Sequence, residues 1–588
     1  MKNRLLGVAT LFWCSKMNGA MKIFQSERAW LSGIFLVAII IRLIYLVDAL
    51  DCPLLFYPGL DPEAYDLWAQ RIANGDWLGK QVFYQSPLYP YLLGIFYSLF
   101  GRHLLWVYLL QILIGGIDCL LIYGIGKLAF GRKVGLVAGI FSALYKPFIF
   151  YQVFLLKTFL EVFLIDLTIF LLLLGVNRQK RNIIFLSGLA LGLGALARDN
   201  FIILLFWFFP WLIFRLKKSG KAISAIYFLL GFVLIITISG IRNWVVGRDF
   251  VLSTSQAGQN FYIGNHLKNL TGTYIPPDFV IAHPFYEEKN FREEAIKRTG
   301  KEDMKPSEIS NFWFKETVKE INSDLALFFQ RLILKLALFW NQKEIADNEN
   351  IYLMKEFSFL LRLPLLGFGM IGAFGLLGLI LAISARKGFL LSGYVVIYWL
   401  SVSLFYIFAR YRLAVVGVVL VFAGFAIEQI YSWIKDKKWK SLSRNMVLLG
   451  GFFALVWAPL IRESWDYAYF NLGNSYARAG KFYQAISAYQ KAIELNPHQA
   501  DFWINLGKAG EKVGDNELSL RAFSKAVLLG PEKANAHFGL GIALFKIGEY
   551  DKAKEELEKA LELEPNWQEA KIYLEMAQSK ISSETKRR

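Results

Sequence analysis

Eleven apolar runs dominate this chain. They fall at roughly 29–47, 103–126, 134–151, 155–176, 183–197, 201–215, 222–240, 360–384, 389–408, 412–431 and 445–461, each long enough, or nearly so, to cross a bilayer as a helix. Hydrocarbon offers the backbone no hydrogen-bond partners, so few architectures remain open, and an all-α polytopic bundle is expected. A hydrophobic content of 55% in 588 residues fits that class and excludes an ordinary soluble enzyme. Two further apolar pieces, 88–100 and 326–340, are too short to span and read as helices lying in the interface.

The charge pattern orients these runs. With the N-terminus inside, the inner segments are 1–28, 127–133, 177–182, 215–221, 385–388 and 432–444, which hold 22 Lys or Arg but only two acids, Glu27 and Asp436. Counting 88–100 as a span would flip every later loop and destroy that asymmetry. The net charge of +18 therefore reports topology, and no nucleic-acid partner is expected. Residues 1–28 form a cytoplasmic segment, 29–461 the membrane domain with outer loops 48–102 and 241–359, and everything from 462 on lies outside. The apolar piece Leu5 to Trp13 is too short to span and lacks a clean cleavage site, so a removable signal peptide is not expected; Met21 is an alternative start. Cys14, Cys52 and Cys119 are widely separated, with neither a zinc spacing nor a disulfide framework.

From residue 464 the composition changes to charged, alanine-rich helix. Pro497, Pro531 and Pro565 recur at the 34-residue period of the tetratricopeptide repeat. The repeat positions are filled by Tyr469, Leu472, Gly473, Tyr476, Ala485, Tyr489 and Ala492, then by Trp503, Leu506, Gly507, Phe523 and Ala526. The third set is His537, Leu540, Gly541, Ala553, Leu557 and Ala560. Three repeats capped by a helix near 566–582 form an α-solenoid, which suits a protein partner or, more plainly, a rigid extension.

Chemistry in the membrane part centres on the outer loops. "GLDPEAYDLWAQRIANGDW" (59–77) gathers Asp61, Glu63, Asp66 and Asp76. On a helix Asp61 and Tyr65 share a face, whereas Asp61, Glu63 and Asp66 do not. An acid held between membrane and surface helix is suited to accepting a proton; equally, acids can simply balance an outward loop. Glu63 and Asp66 are expected to face water, and Asp76 to belong to a Gly-Asp-Trp turn. Arg410 and Arg412 lie at an outer boundary against the positive-inside trend. A guanidinium there suits a lipid phosphate, and snorkelling is the plain alternative. Arg42 is expected to snorkel. Asp118 and Asp166 are deep acids, either functional or hydrogen-bonded between helices. Arg198 and Asp199 read as a local ion pair at an outer turn.

"LDPEAYDLWAQRIANGDW" followed by "YQSPLYPYLLGIFYSLFG" resembles the first outer loop of the PMT-like branch of GT-C glycosyltransferases, the relatives of protein O-mannosyltransferases and aminoarabinose transferases. Asp61, Tyr65, Gly75, Asp76, Trp77, Pro87 and Tyr89 match that pattern. "ALYKPFIFYQVFLLKTFLEVFL" resembles the family's segment ending in a second outer acid, here Glu161, with Lys157 an equal candidate. "IRNWVVGRDFVLSTSQAGQNFYIGN" resembles the start of the large outer loop. "LALFWNQKEIADNEN" resembles a later Phe-Trp-Asn element with Glu344 in the acidic position, and "FARYRLAVVGVVLVF" an outer Arg-Tyr-Arg element. The likeness spans roughly 29–430. Where aminoarabinose transferases carry a lysine this chain has Ser86, which argues against that donor.

The resemblance implies a GT-C fold in a bacterial-type inner membrane of the cell envelope. It implies an inverting transfer of one sugar from a polyprenyl-phosphate donor to a protein or glycolipid acceptor on the outer face. Asp61 would accept or orient the acceptor proton, and Glu161 would help directly or through a divalent cation, the one cofactor left open. Arg410 or Arg412 would bind the donor phosphate; Tyr65, Lys157 and Glu344 are secondary candidates. Membrane lipids surround the spans, and a protein partner would use the repeats. Two rivals are a lipid-linked glycan ligase of the O-antigen type and a non-enzymatic membrane-anchored repeat scaffold.

Overall fold

The computed structural model describes residues 26–217 and 219–585. The expectations for Leu5–Trp13, Met21 and most of the cytoplasmic segment 1–28 lie outside the described residues. The chain divides into two compact units, one built from residues up to 49, 60–347 and 358–462, the other from 50–59, 348–357 and 463–588. Among the described residues the architecture is all-α, with a lone bridge between Tyr145 and Leu366 as its β feature.

The first unit starts with α1 (Glu27–Asp48), followed by two shorter helices, α2 (Leu60–Ala73) and α3 (Leu88–Phe100). A run of packed helices comes next: α4 (Leu104–Phe130), α5 (Arg132–Leu144), α6 (Lys146–Tyr151), α7 (Thr158–Arg178), α8 (Arg181–Ala197), α9 (Leu205–Lys217) and α10 (Ala225–Gly247). The large outer stretch folds into α11 (Ala257–Asn265), α12 (Pro284–Thr299), α13 (Pro306–Ser323) and α14 (Leu325–Trp340). The unit closes with α15 (Phe359–Arg362), α16 (Phe368–Ser384), α17 (Phe389–Ser403), α18 (Ala409–Lys435) and α19 (Trp439–Val456). Six segments among the described residues are long and apolar enough to cross a membrane: Glu27–Asp48, Leu104–Phe130, Thr158–Arg178, Asp199–Lys217, Ala222–Gly247 and Ala409–Lys435. The apolar helices α3, α8, α16 and α17 are shorter.

Small residues decide which helices touch. A Cβ on Gly188 of α8 would fall 2.0 Å from the Phe228 carbonyl of α10, and one on Gly231 would fall 2.4 Å from that of Phe185. Backbones meet there, as helix packing in lipid requires. α18 is the central element, buried along its outer half and packed against α4, α5, α7 and α16.

Three expectations are corrected here. The run 134–151 is not one helix. It breaks at Tyr145, where the Lys146 amide donates to Leu366 at 2.9 Å and Pro147 starts a new turn. The run 360–384 breaks likewise, because Pro364 ends α15 and α16 begins only at Phe368. Arg42 does not snorkel. It is 1% exposed, donates to Gln152 and to the Ala38 and Ala143 carbonyls, and so pins α1 to the α5–α7 region.

The large outer stretch has its own apolar core around Trp313, with Tyr262, Phe291 and Ile309, and it takes in Tyr406 and Phe408 from the approach to α18. It is therefore a folded cover and not a loose loop.

In the second unit the repeats form three antiparallel helix pairs. They are α20 (Asp466–Arg478) with α21 (Phe482–Leu495), α22 (Ala500–Val513) with α23 (Asn516–Leu529), and α24 (Ala534–Lys546) with α25 (Tyr550–Leu563). A last helix, α26 (Gln568–Thr585), packs on α25. Large residues fill the space over small ones: Tyr489 lies over Gly473, Phe523 between Gly507 and Gly539, and Leu557 over Gly541. Segments 50–59 and 348–357 pack on this stack. Ser475 donates to the Tyr57 carbonyl at 2.9 Å, Arg478 to that of Pro58, and Tyr469 to Glu356, while Tyr352 stacks on Trp465.

Candidate active site

Two helix starts build the site. At the first, Leu60 takes the left-handed conformation (φ +55°) and turns the chain into α2, with Pro62 and the acids Asp61 and Glu63 in its first turn. Proline has no N–H to lose there, and carboxylates favour the positive end of a helix. At the second, extended Phe408 leads into α18, whose first turn carries Arg410 and Arg412. The Ala409 amide donates to Ile345 at 3.0 Å and ties this start to the 341–347 loop. Two buried guanidiniums at the positive end of a helix oppose its dipole, so they demand anions.

The anions are present. Asp61 Oδ2 lies 2.8 Å from Arg410 Nη2, with side-chain exposures of 15% and 7%. Asp347 forms a second ion pair with Arg410 Nε. Glu344 pairs with Arg412 Nη2 at 2.8 Å. Arg412 also donates to the Phe339 and Asn341 carbonyls and stacks over Phe368 at 3.7 Å, and so holds the 339–344 turn. Burial pushes the Glu344 carboxyl above its usual range, with Arg412 opposing.

Beside this pair of arginines lies a second set. Glu161, 1% exposed, accepts from Arg198 Nε at 2.7 Å and lies 3.6 Å from Lys157 Nζ. Lys157 donates to Ser86 at 2.9 Å, so a cation reaches the place of the departure noted at Ser86 from another part of the chain. Tyr411 links the two sets, with Arg198 over its ring at 4.3 Å and Arg410 at 5.3 Å. Tyr65 is buried one turn below Asp61, edge-on to Tyr89 at 5.7 Å, and burial pushes its phenol well above the ordinary range.

Asp61, Tyr65, Lys157, Glu161, Glu344, Arg410 and Arg412 thus come from separate parts of the sequence into one neighbourhood. The sequence reasoning missed three members. Asp347 stood inside the quoted stretch "LALFWNQKEIADNEN" and was passed over. Arg198 was read as partner to Asp199; it pairs instead with Glu161, while Asp199 accepts from Ser253 at 2.7 Å and from Thr254. Tyr411 lay between two arginines already singled out. Asp66 is a further correction. It is 5% exposed, not facing water, because Arg102 and Tyr97 hold it at 2.8 Å each. Asp76 caps the turn as read, accepting from the Gly79 amide at 3.0 Å. Asp118 and Asp166 lie in the bundle, buried, with carboxylate oxygens that have no hydrogen-bond partner.

The cover closes over the site through Glu287 of α12. Its two oxygens accept from Tyr84 at 3.0 Å and Tyr274 at 2.9 Å, Tyr274 stacks on Phe408, and α12 packs against α2. Among the described residues no cluster of three or more His, Cys, Asp or Glu side chains is arranged to hold a metal ion.

A carboxylate–guanidinium cluster between an outer loop and a helix N-terminus is suited to an anionic substrate and to proton transfer at an oxygen. The dolichyl-phosphate-mannose-protein mannosyltransferase family matches residues 84–244, and the tetratricopeptide repeat matches 467–499 and 534–567. Residues 84–244 thus carry a PMT-like mannosyltransferase segment, and the C-terminal repeats are tetratricopeptide repeats. The matched mannosyltransferase segment runs from Tyr84 to Trp244 and includes Ser86, Lys157, Glu161 and Arg198. No curated protein matches the chain in a direct comparison. Solved structures resemble only short parts of it. The first tetratricopeptide domain of human RPAP3 is 26% identical over 21% of this chain and 95% of its own, with a TM-score of 0.20. The Sgt2 domain from Aspergillus fumigatus is 26% identical over 21% and 82%, also at 0.20, and MamA 20% identical over 26% and 79%, again at 0.20.

Proposed function

We propose that this protein is a membrane glycosyltransferase that moves a single sugar from a polyprenyl-phosphate donor to an acceptor hydroxyl on the outer face of the membrane, with inversion. The observation that carries this reading is the Asp61–Arg410 pair, a buried carboxylate and guanidinium 2.8 Å apart at the start of α18. Arg410 offers the growing negative charge on the leaving phosphate two N–H donors in one plane. Asp61, fixed by the first turn of α2, orients the acceptor hydroxyl or takes its proton. Arg412, held by Glu344 and two carbonyls, shapes the loop while Arg410 meets the phosphate. Glu161 and Lys157 form the side of the site nearest Ser86, where they bear on the sugar or the phosphate. No nucleotide is needed, because the donor is lipid-linked. The lipid tail stays between helices, so the sugar phosphate need not cross hydrocarbon. The acceptor is a protein or glycolipid; the repeats bind a protein partner.

The test is release of polyprenyl phosphate by purified full-length protein from a panel of polyprenyl-phosphate hexoses, with an envelope fraction as acceptor source. Asp61→Asn is expected to lower the rate by about 10²-fold or more, the usual scale for a positioned acid or base. Turnover unchanged in Asp61→Asn would end the role given to this residue. A glycan ligase is distinguished by transferring a polymer from a diphosphate-linked lipid while ignoring these donors.

A further inference from the structure

Asp347 is the member of the cluster that the proposed transfer has not yet used. It shares Arg410 with Asp61, one carboxylate at Nη2 and the other at Nε. Arg410 Nη1 is buried with no hydrogen-bond partner, so a lipid phosphate can engage there. One positive charge then faces three anions, and its hold on both carboxylates weakens. The two are not equivalent. Asp61 sits in the first turn of α2, where the helix dipole favours its charge. Asp347 lies in irregular loop with no helix N-terminus behind it, and its ion pair lacks hydrogen-bond alignment.

Burial pushes the Asp347 carboxyl up to about 6, Arg410 pulling against this and Asp61 adding to it. The groups that face it are Arg410 and Tyr411 of α18, Asp61 of α2, Tyr151 of α6, Tyr274 of the cover and Arg198.

Resting on the transfer proposed above, we infer that Asp347 is a second catalytic carboxylate, which takes the acceptor proton once donor phosphate occupies Arg410, while Asp61 orients the hydroxyl. The acceptor oxygen forms its bond to the anomeric carbon. The carbon–oxygen bond to phosphate breaks, and its electron pair leaves with polyprenyl phosphate. The hydroxyl proton passes to an Asp347 carboxylate oxygen and then to water as products depart. Phosphate binding releases the base in the same event that brings the leaving group.

The experiment is the pH dependence of kcat/KM for polyprenyl phosphate release between pH 5 and 9, a range on the order of the carboxylate and histidine titration window. Wild type, Asp61→Asn, Asp347→Asn and Asp347→Glu are compared. Wild type is expected to lose activity on the acid side near pH 6. Asp347→Asn should be about 10²-fold slower and lack that acid limb. Asp61→Asn should be slow but keep a limb, displaced to lower pH because a neighbouring negative charge is gone. Asp347→Glu should keep a limb at a shifted position, and it decides the matter if Asn is too unstable to assay. An acid limb at the wild-type position in Asp347→Asn, or one unmoved in Asp347→Glu, overturns the assignment and leaves the transfer reading intact. A wild-type protein that releases no polyprenyl phosphate from any donor overturns both.

Discussion

At the scale of the residue, the two arginines of α18 differ in what holds them. Arg410 meets only side chains that a ligand can displace, whereas Arg412 is bound to Glu344, two carbonyls and the Phe368 ring. Removing one partner of a fully buried pair strands the other charge, which typically costs about 3–5 kcal/mol, while replacing both with apolar groups costs far less. Glu344→Gln is therefore expected to lower thermal stability sharply in detergent, and the double change Glu344→Gln with Arg412→Met to recover much of it. Equal stability of Glu344→Gln and wild type would show that this pair is solvated. The sequence made Glu344 and Arg412 legible through their family-like stretches, and Arg410 through its place against the charge trend. Asp347 was illegible, because its meaning comes from meeting Arg410 in space, and nothing in "IADNEN" distinguishes that acid from Glu349. Arg42 and Asp66 misled for a related reason: a charge near a membrane boundary reads as exposed until its buried partner is known.

At the scale of the element, the decisive piece is α12. Its sequence, "PFYEEKNFREEAIKRT", is so charged that it reads as solvent-facing, yet Glu287 turns inward to two tyrosines. Hydrogen bonds to a charged group contribute about 1.5–3 kcal/mol each. Tyr84→Phe and Tyr274→Phe are each expected to speed amide exchange across 284–299 while leaving α18 protected. Burial holds the Glu287 carboxyl above its usual range, the two tyrosines opposing and Asp61 adding to the rise. A folded-state value above the unfolded one means that the folded cover binds the proton more tightly. Its protection is thus fullest below the ordinary glutamate range and falls as pH rises through the raised value. Glu287→Gln should abolish that dependence; exchange over α12 that stays pH-dependent in this variant would assign the titration elsewhere. Helix positions themselves were largely legible from apolar length. The breaks at Tyr145 and Leu363–Gly367 were not, because each is imposed by the other segment through the Tyr145–Leu366 bridge and the Lys146 ammonium on the Leu361 and Leu363 carbonyls.

At the scale of the whole molecule, a covalent fact constrains topology. Segments 50–59 and 348–357 fold into one unit with 463–588, so these three parts of the chain lie on one side of the membrane. The number of crossings between 59 and 348, and between 357 and 463, must then be even. Six and four crossings, the numbers expected from the apolar runs and the cationic loops, satisfy this parity. The two arguments are independent, since one rests on packing and the other on where Lys and Arg fall. The charge rule alone gives the expected outer side, and that sets the experiment. In a background with Cys14, Cys52 and Cys119 replaced, single cysteines at exposed Tyr57, Asp551 and Lys180 meet a membrane-impermeant thiol reagent in intact cells. Tyr57→Cys and Asp551→Cys are expected to react at once, and Lys180→Cys only after the membrane is opened. Reaction of Lys180→Cys alone would invert the orientation while keeping the parity. Unequal reaction of the first two would break the parity itself.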